Sequence, residues 1–205
     1  EANPRLQVEH TVTEEVCGVD LVQTQLLLSE GKTLAELGLS TASVPKPRGY
    51  AVQARVNLES MDDQGVLRPS MGVLTAFEVP TGPGVRVDTF GYAGYATSAS
   101  FDALLAKLIV HGTTDFATVL SRAGRALSEF KIDGVASNLS FLRALVSRPE
   151  LQSGGTYTRF VEDHAADLLM DSRALTRRPP VEAQQAGARL DSRDPLAVLV
   201  HGKSG

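Results

Sequence analysis

The 205 residues are 42% hydrophobic and 21% charged with a formal net charge of -4, a balance that suits one or two soluble globular domains by the loose prior of about 150 residues each. That charge gives no general pull toward nucleic acid or an anionic membrane surface, and the apolar runs at 26–28 and 108–110 fall far short of the roughly 18 residues a spanning helix needs. The single Cys17 excludes an internal disulfide and a cysteine-based zinc cluster, and fits a reducing, cytoplasmic setting in which it packs rather than reacts.

The chain opens with EANPRLQVEHTVTE, in which Glu1, Asn3, Arg5, Gln7 and Glu9 stand at every second position. An extended stretch would turn all five to one face, although Pro4 argues for a strand end or loop over an interior ladder strand. Because the first residue already lies inside a patterned segment, a piece of a longer polypeptide is expected. Residues 11 to 30 predict one amphipathic helix, with Val12, Val16, Val19, Val22 and Leu26 on its apolar face, Thr11 and Glu14 as a capping-box pair and Gly31 as the stop. A helical turn is expected over Leu34 to Leu37, then a linker from Ser43 to Gly49 carrying Pro45 and Pro47.

Strands follow. Val52, Ala54, Val56 and Leu58 alternate with Gln53, Arg55 and Asn57, the pattern of a half-buried strand. Val73, Thr75, Phe77 and Val79 repeat it, Gly82-Pro83-Gly84 predicts a turn into a strand around Val85 and Val87, and Leu104 to Val110 reads as a further strand. The period then changes. Phe116, Val119, Leu120, Ala123, Leu127 and Phe130 give one helix face; Leu139, Leu142, Leu145 and Val146 give another, started by Ser137 or Asn138 and ended near Pro149. A third helix is expected from about Thr158 to Leu169, and the pattern fades beyond 171 into a linker. Strands first and helices afterwards predict an α+β fold with an antiparallel sheet and packed helices.

The polar row at the start carries recognisable chemistry. Glu1 and Asn3 are hard oxygen ligands suited to magnesium whose shell phosphate oxygens complete. The guanidinium fork of Arg5 matches a planar anion such as a carboxylate or carbonate, and Glu9 is a candidate general base. A helix beginning near Thr11 favours an anion beside it. Against this stands the plain alternative that an edge segment keeps a polar face toward water. His10 reads as a packing or hydrogen-bonding group, and His111, His164 and His201 show no metal spacing.

EANPRLQVEHTVTEEVCGVDLV resembles, nearly residue for residue, the end of the ATP-grasp domain of biotin carboxylases, the component shared by acetyl-CoA, propionyl-CoA and pyruvate carboxylases. The resemblance continues through AVQARVN, RPSMGVL, GPGVRVD, YAGY, FDALLAKLIVHG, IDGVASNLSFLRAL and GGTYTRF, to about residue 170. It implies the end of an ATP-grasp domain at 1–44, a biotin carboxylase C-terminal domain at 45–171, and a linker toward further domains at 172–205. It also implies roles. Glu1 and Asn3 look like ligands of magnesium or manganese at the ATP phosphates; Arg5, Gln7 and the backbone of Val8 like a bicarbonate cradle; Glu9 like the base that deprotonates bicarbonate. Arg55 looks like the group that stabilises the negative oxygen of the biotin ureido ring, and Arg86 like a structural group or part of a dimer contact. In such an enzyme bicarbonate takes the γ-phosphoryl group of ATP, the resulting carboxyphosphate yields carbon dioxide, and deprotonated biotin attacks it. The resemblance further implies the remaining N-terminal and ATP-grasp segments, a biotin carrier domain and a carboxyltransferase as partners, and a homodimer or larger oligomer, with no nucleic acid and no membrane.

This family's glycine-rich phosphate lid and ATP-binding lysines would precede Glu1, so the 205 residues taken alone are expected to be inactive. Two alternatives stand beside this reading: another ATP-grasp ligase, such as the carbamoyl-phosphate synthetase type with the same acid and asparagine pair, and a non-catalytic dimerisation or scaffold module. The RLQVEH string followed in order by Arg55 and RPSMGVL favours the first reading.

Overall fold

In the computed structural model, residues 2–62, 66–98 and 100–176 are described. Two helices, α1 (His10–Cys17) and α2 (Leu21–Ser29), precede β1 (Tyr50–Asn57), β2 (Glu59–Met61), β3 (Leu67–Pro69), β4 (Ala76–Glu78), β5 (Val85–Thr89) and β6 (Leu104–Gly112). Then come α3 (Phe116–Glu129), β7 (Lys131–Asp133), α4 (Leu139–Val146), α5 (Pro149–Gln152), α6 (Phe160–Asp163) and α7 (Ala165–Thr176). The architecture is α+β, as the order of periods predicts. A three-stranded antiparallel sheet in the order β1-β6-β5 forms the centre, with the small pairs β2-β3 and β4-β7 beside it.

The central sheet has two chemically different faces because its strands alternate. Register places Val52 opposite Val110, Ala54 opposite Leu108 and Val85 opposite Val110, and these side chains meet Val119, Leu120, Ala123 and Leu127 of α3 in the larger core cluster. Asp115 starts α3 by accepting the Thr118 N–H at 2.8 Å. A smaller cluster of Leu58, Leu74, Leu105 and Val135 lies beside Phe77, Tyr95 and Ile132. Leu108, 1% exposed on the middle strand, stands in the larger core. Leu108→Ala is expected to cost about 2–5 kcal/mol through lost transfer energy and the cavity left behind, seen as a lower urea midpoint at unchanged slope.

The structure corrects several expectations. The helix over 11–30 is broken: Gly18 adopts φ 66° and closes α1, and the Asp20 side chain accepts the Gln23 N–H at 2.7 Å to start α2. A left-handed residue followed by a good N-cap overrides the continuing apolar period. Thr11 and Glu14 are accordingly not a capping box; both lie buried inside α1 and make tertiary contacts. The strand read through Val73 and Val79 shrinks to β4. Val73 and Val79 are exposed, and Leu74, of the opposite parity, is fully buried. The third helix is divided at His164, whose ring stacks on Phe160 at 4.4 Å, and it continues as α7 to Thr176 instead of fading at 171. The expected linker from 177 onward lies outside the described residues.

Candidate functional site

The opening segment is not a strand. Arg5 N–H donates to Asn3 O at 2.8 Å in a tight bend just after Pro4, and a turn at Val8 and Glu9 leads into α1. Pro4 lacks the donor a ladder needs, so the loop reading of this stretch holds and the shared-face argument does not. Asn3, Gln7 and Val8 are half-buried; Arg5 is exposed, its Nη1 donating to Leu6 O at 3.3 Å. Glu1 lies outside the described residues. His10 is within 2.6 Å of Gln7 O through Nδ1, a hydrogen-bonding role and not a ligand's.

Two of the sequence-predicted residues meet. Arg55 Nη2 donates to Glu9 Oε2 at 2.9 Å across 46 positions of sequence. Both side chains are about half exposed, at 50% and 52%. Their meeting depends on α1, which packs against β1 and β6 and so delivers the chain end at Glu9 to the polar face of the sheet. That face carries Gln53 and Arg55 from β1, Lys107 from β6, and Arg86 and Asp88 from β5.

Its electrostatics are arranged around a conflict. Arg55 and Lys107 are directly opposite partners across β1 and β6, and like charges so placed repel. Each is matched by a different carboxylate: Glu9 for Arg55, and Asp88, at 3.2 Å, for Lys107. Arg86 joins the same network, donating to Asp88 at 2.8 Å and 3.1 Å, to Glu14 at 2.9 Å and to Glu15 at 3.2 Å. The other oxygen of Glu14 accepts the Leu21 N–H at 2.9 Å, so one buried carboxylate ties α1, the start of α2 and β5 together. The hydrogen bond to Asp88 holds the Arg86 guanidinium above its ordinary value against the opposing effect of burial, with Glu14 and Glu15 adding to it.

Burial pushes the Asp88 carboxyl up, but hydrogen bonds and charge from Arg86 and Lys107 outweigh it and hold the group below its ordinary range. A carboxylate depressed in the folded state stabilises it above the unfolded value of about 3.9, and that contribution is lost as pH falls through the folded pKa. The stability gap between the wild type and Asp88→Asn is therefore expected to be full at pH 7 and to shrink below about pH 4. Urea midpoints at several pH values check this, and a gap independent of pH would contradict it.

The back of β1 is held by Asn138. Its Nδ2 donates to Arg55 O at 3.1 Å, and its Oδ1 accepts the Asn57 N–H at 2.9 Å, where the register of β1 against β6 shifts between Val56 and Asn57. Sequence reading gave Asn138 only a capping role, yet its side chain makes no cap hydrogen bond to α4. Asp102 accepts the Leu104 N–H at 2.9 Å and, with Tyr95 and Phe101, lines a surface cavity of about 500 Å³. Among the described residues no group of three or more His, Cys, Asp or Glu is placed to hold a metal, and no helix is long and apolar enough to cross a membrane.

Residues 1–37 match the ATP-binding domain of the carbamoyl-phosphate synthase L chain. Residues 53–163 match the biotin carboxylase C-terminal domain, and the chain belongs to that family. It is 38% identical over 200 residues to the biotin-dependent acyl-coenzyme A carboxylase alpha3 subunit of Mycobacterium leprae (strain TN), covering 94% of this chain and 32% of that protein. It is 38% identical over 165 residues to mitochondrial pyruvate carboxylase of Homo sapiens, covering 80% of this chain and 14% of that one. Among solved structures it superposes on the biotin carboxylase domain of a single-chain bacterial carboxylase with a TM-score of 0.76 at 46% identity, over 85% of this chain and 39% of that one. It also superposes on the biotin carboxylase domain dimer of Hydrogenobacter thermophilus 2-oxoglutarate carboxylase, in complex with MgADP, ADP and bicarbonate. There the TM-score is 0.74 at 31% identity, over 81% and 35% of the two chains. The chain thus spans about a third or less of the curated relatives it matches.

Proposed function

We propose that this chain is the C-terminal part of a biotin carboxylase, contributing the bicarbonate and biotin side of a site whose remaining ATP-binding groups come from an ATP-grasp segment. Residues 1–44 end the ATP-grasp domain, and the C-terminal domain runs from 45 through α7. The observation that carries this reading is the 2.9 Å contact between Glu9 and Arg55, a general base and an anion-stabilising cation brought together from distant segments. In turnover Glu9 takes the proton of bicarbonate as its oxygen attacks the γ-phosphorus of ATP, while Arg5, Gln7 and the Val8 backbone hold the anion. The carboxyphosphate so formed breaks down to carbon dioxide and phosphate, the phosphate takes the N1 proton of biotin, and N1 attacks the carbon dioxide; Arg55 exchanges Glu9 for the ureido oxygen, placing fixed positive charge where negative charge develops. The protein acts by positioning and charge.

Asn3 offers one hard oxygen, and the assigned Glu1 another. That donor set fits magnesium or manganese only as part of a shell completed by nucleotide phosphates, the usual way such ions are held. The ion's contribution is to draw charge from the transferring phosphoryl group. Biotin arrives on a carrier domain, and a carboxyltransferase passes the carboxyl group to an acyl-CoA or pyruvate; the names of the relatives support both acceptors. A homodimer is supported by the dimeric neighbour. The test is carboxybiotin formation from free biotin, ATP and bicarbonate by this chain alone and joined to its ATP-grasp segment. Turnover is expected only from the joined form, and its absence there would overturn the proposal.

A further inference from the structure

We propose that Thr11 and Gln53 are positioning residues, a buried fastening that sets Glu9 in register with Arg55. The inference rests on the roles proposed for Glu9 and Arg55. Thr11 is fully buried, and its hydroxyl donates to Gln53 Oε1 at 2.5 Å. Thr11 follows Glu9 by two residues and Gln53 precedes Arg55 by two on the same face of β1, so the contact forms an inner rung beside the outer Glu9 and Arg55 rung.

Magnitudes decide which rung fixes the geometry. A half-exposed ion pair is screened by water and contributes little, whereas a buried hydrogen-bonding group left unmatched forfeits its full desolvation cost. Chemistry points the same way. Glu9 must release Arg55 to meet bicarbonate, and Arg55 must release Glu9 to meet the ureido oxygen, so their pair opens in every cycle. The permanent link between α1 and β1 has to lie elsewhere, and Thr11 with Gln53 supplies it next to the reacting groups. One residue of slip in β1 would turn Arg55 to the opposite face.

The experiment uses the biotin carboxylase that carries this segment, with Thr11→Val, Thr11→Ser, Gln53→Met, the Thr11→Val/Gln53→Met double variant and Glu9→Gln. The readouts are ATP cleaved per carboxybiotin formed, kcat and KM for biotin, and Tm. Thr11→Val and Gln53→Met are each expected to lower kcat for biotin carboxylation by about 10- to 100-fold, the scale of a small misplacement, and to raise the ATP cleaved per carboxybiotin several-fold. The double variant is expected to be no worse than either single one, and Thr11→Ser, which keeps the hydroxyl, to retain wild-type coupling. Should Thr11→Val fail to fold, Gln53→Met removes the same hydrogen bond from a half-buried position. A loss confined to Tm with unchanged coupling, or a Thr11→Ser defect equal to that of Thr11→Val, would overturn the positioning role. Full activity in Glu9→Gln would instead sink the underlying base assignment, and the positioning role with it; an inactive Glu9→Gln beside fully coupled Thr11→Val and Gln53→Met sinks only the latter.

Discussion

Glu9→Gln is expected to lower bicarbonate-dependent ATP cleavage by about 100- to 10,000-fold in the enzyme that carries this segment, the range for loss of a positioned general base. The substitution keeps the length and shape of the side chain and its oxygen toward Arg55, so the 2.9 Å contact survives as a weaker, singly charged hydrogen bond. Only the basic oxygen is lost. Because Glu9 is half exposed at the entrance to α1, the fold does not depend on its charge, and Tm should move little. A fall in kcat with Tm and nucleotide affinity retained is the expected pattern. Undiminished ATP cleavage would place the proton acceptor elsewhere and leave Glu9 as a partner of Arg55 alone.

Arg55→Ala is expected to fail at the later half of the reaction. Removing a preorganised donor to a developing oxyanion costs about 100- to 1,000-fold in kcat, and carboxybiotin formation should fall by that amount while ATP cleavage in the absence of biotin falls far less. Arg55→Lys should not restore the rate, because an ammonium is a point charge without the planar fork. The variant also removes one of the two cations facing each other across β1 and β6, so the sheet itself should not be destabilised by its loss. Equal losses in both half-reactions would show that Arg55 serves mainly to orient Glu9.

The two variants separate the proposed base from the proposed anion stabiliser, and Thr11→Val separates both from the link proposed to align them. A pure scaffold role predicts that none of the three alters chemistry. Partner binding alone would then be affected.

Local pattern was sufficient wherever burial follows period. The alternation of Val52, Ala54 and Val56, the apolar run of β6 and the helical face from Phe116 to Phe130 all became the elements they predict, because burial follows each pattern: β1 and α3 turn one side to the core, and the middle strand β6 is buried on both faces at Leu108, Ile109 and Val110. Where two local signals competed, period misled. Gly18 and Asp20 divide the first helix although the apolar spacing runs on through them. Leu74 rather than Val73 enters the core, because β4 is only three residues long and a short strand between turns imposes no lasting alternation. The short strands β2, β3 and β7 carry too few residues for any period to register.

The candidate site divides in the same way. Sequence by itself determined which groups are available for the chemistry proposed above, the acid at Glu9 and the guanidinium at Arg55, since residue type fixes what a side chain can donate or accept. Which groups face each other was decided only by the tertiary structure: Glu9 with Arg55, Thr11 with Gln53, and Arg86 with Glu14, Glu15 and Asp88. Most of these partners lie 42 to 72 positions apart, and no periodicity relates them. They meet because α1 lies across the polar face of a sheet whose other face is committed to α3, and that arrangement follows from burying the apolar side of both layers at once.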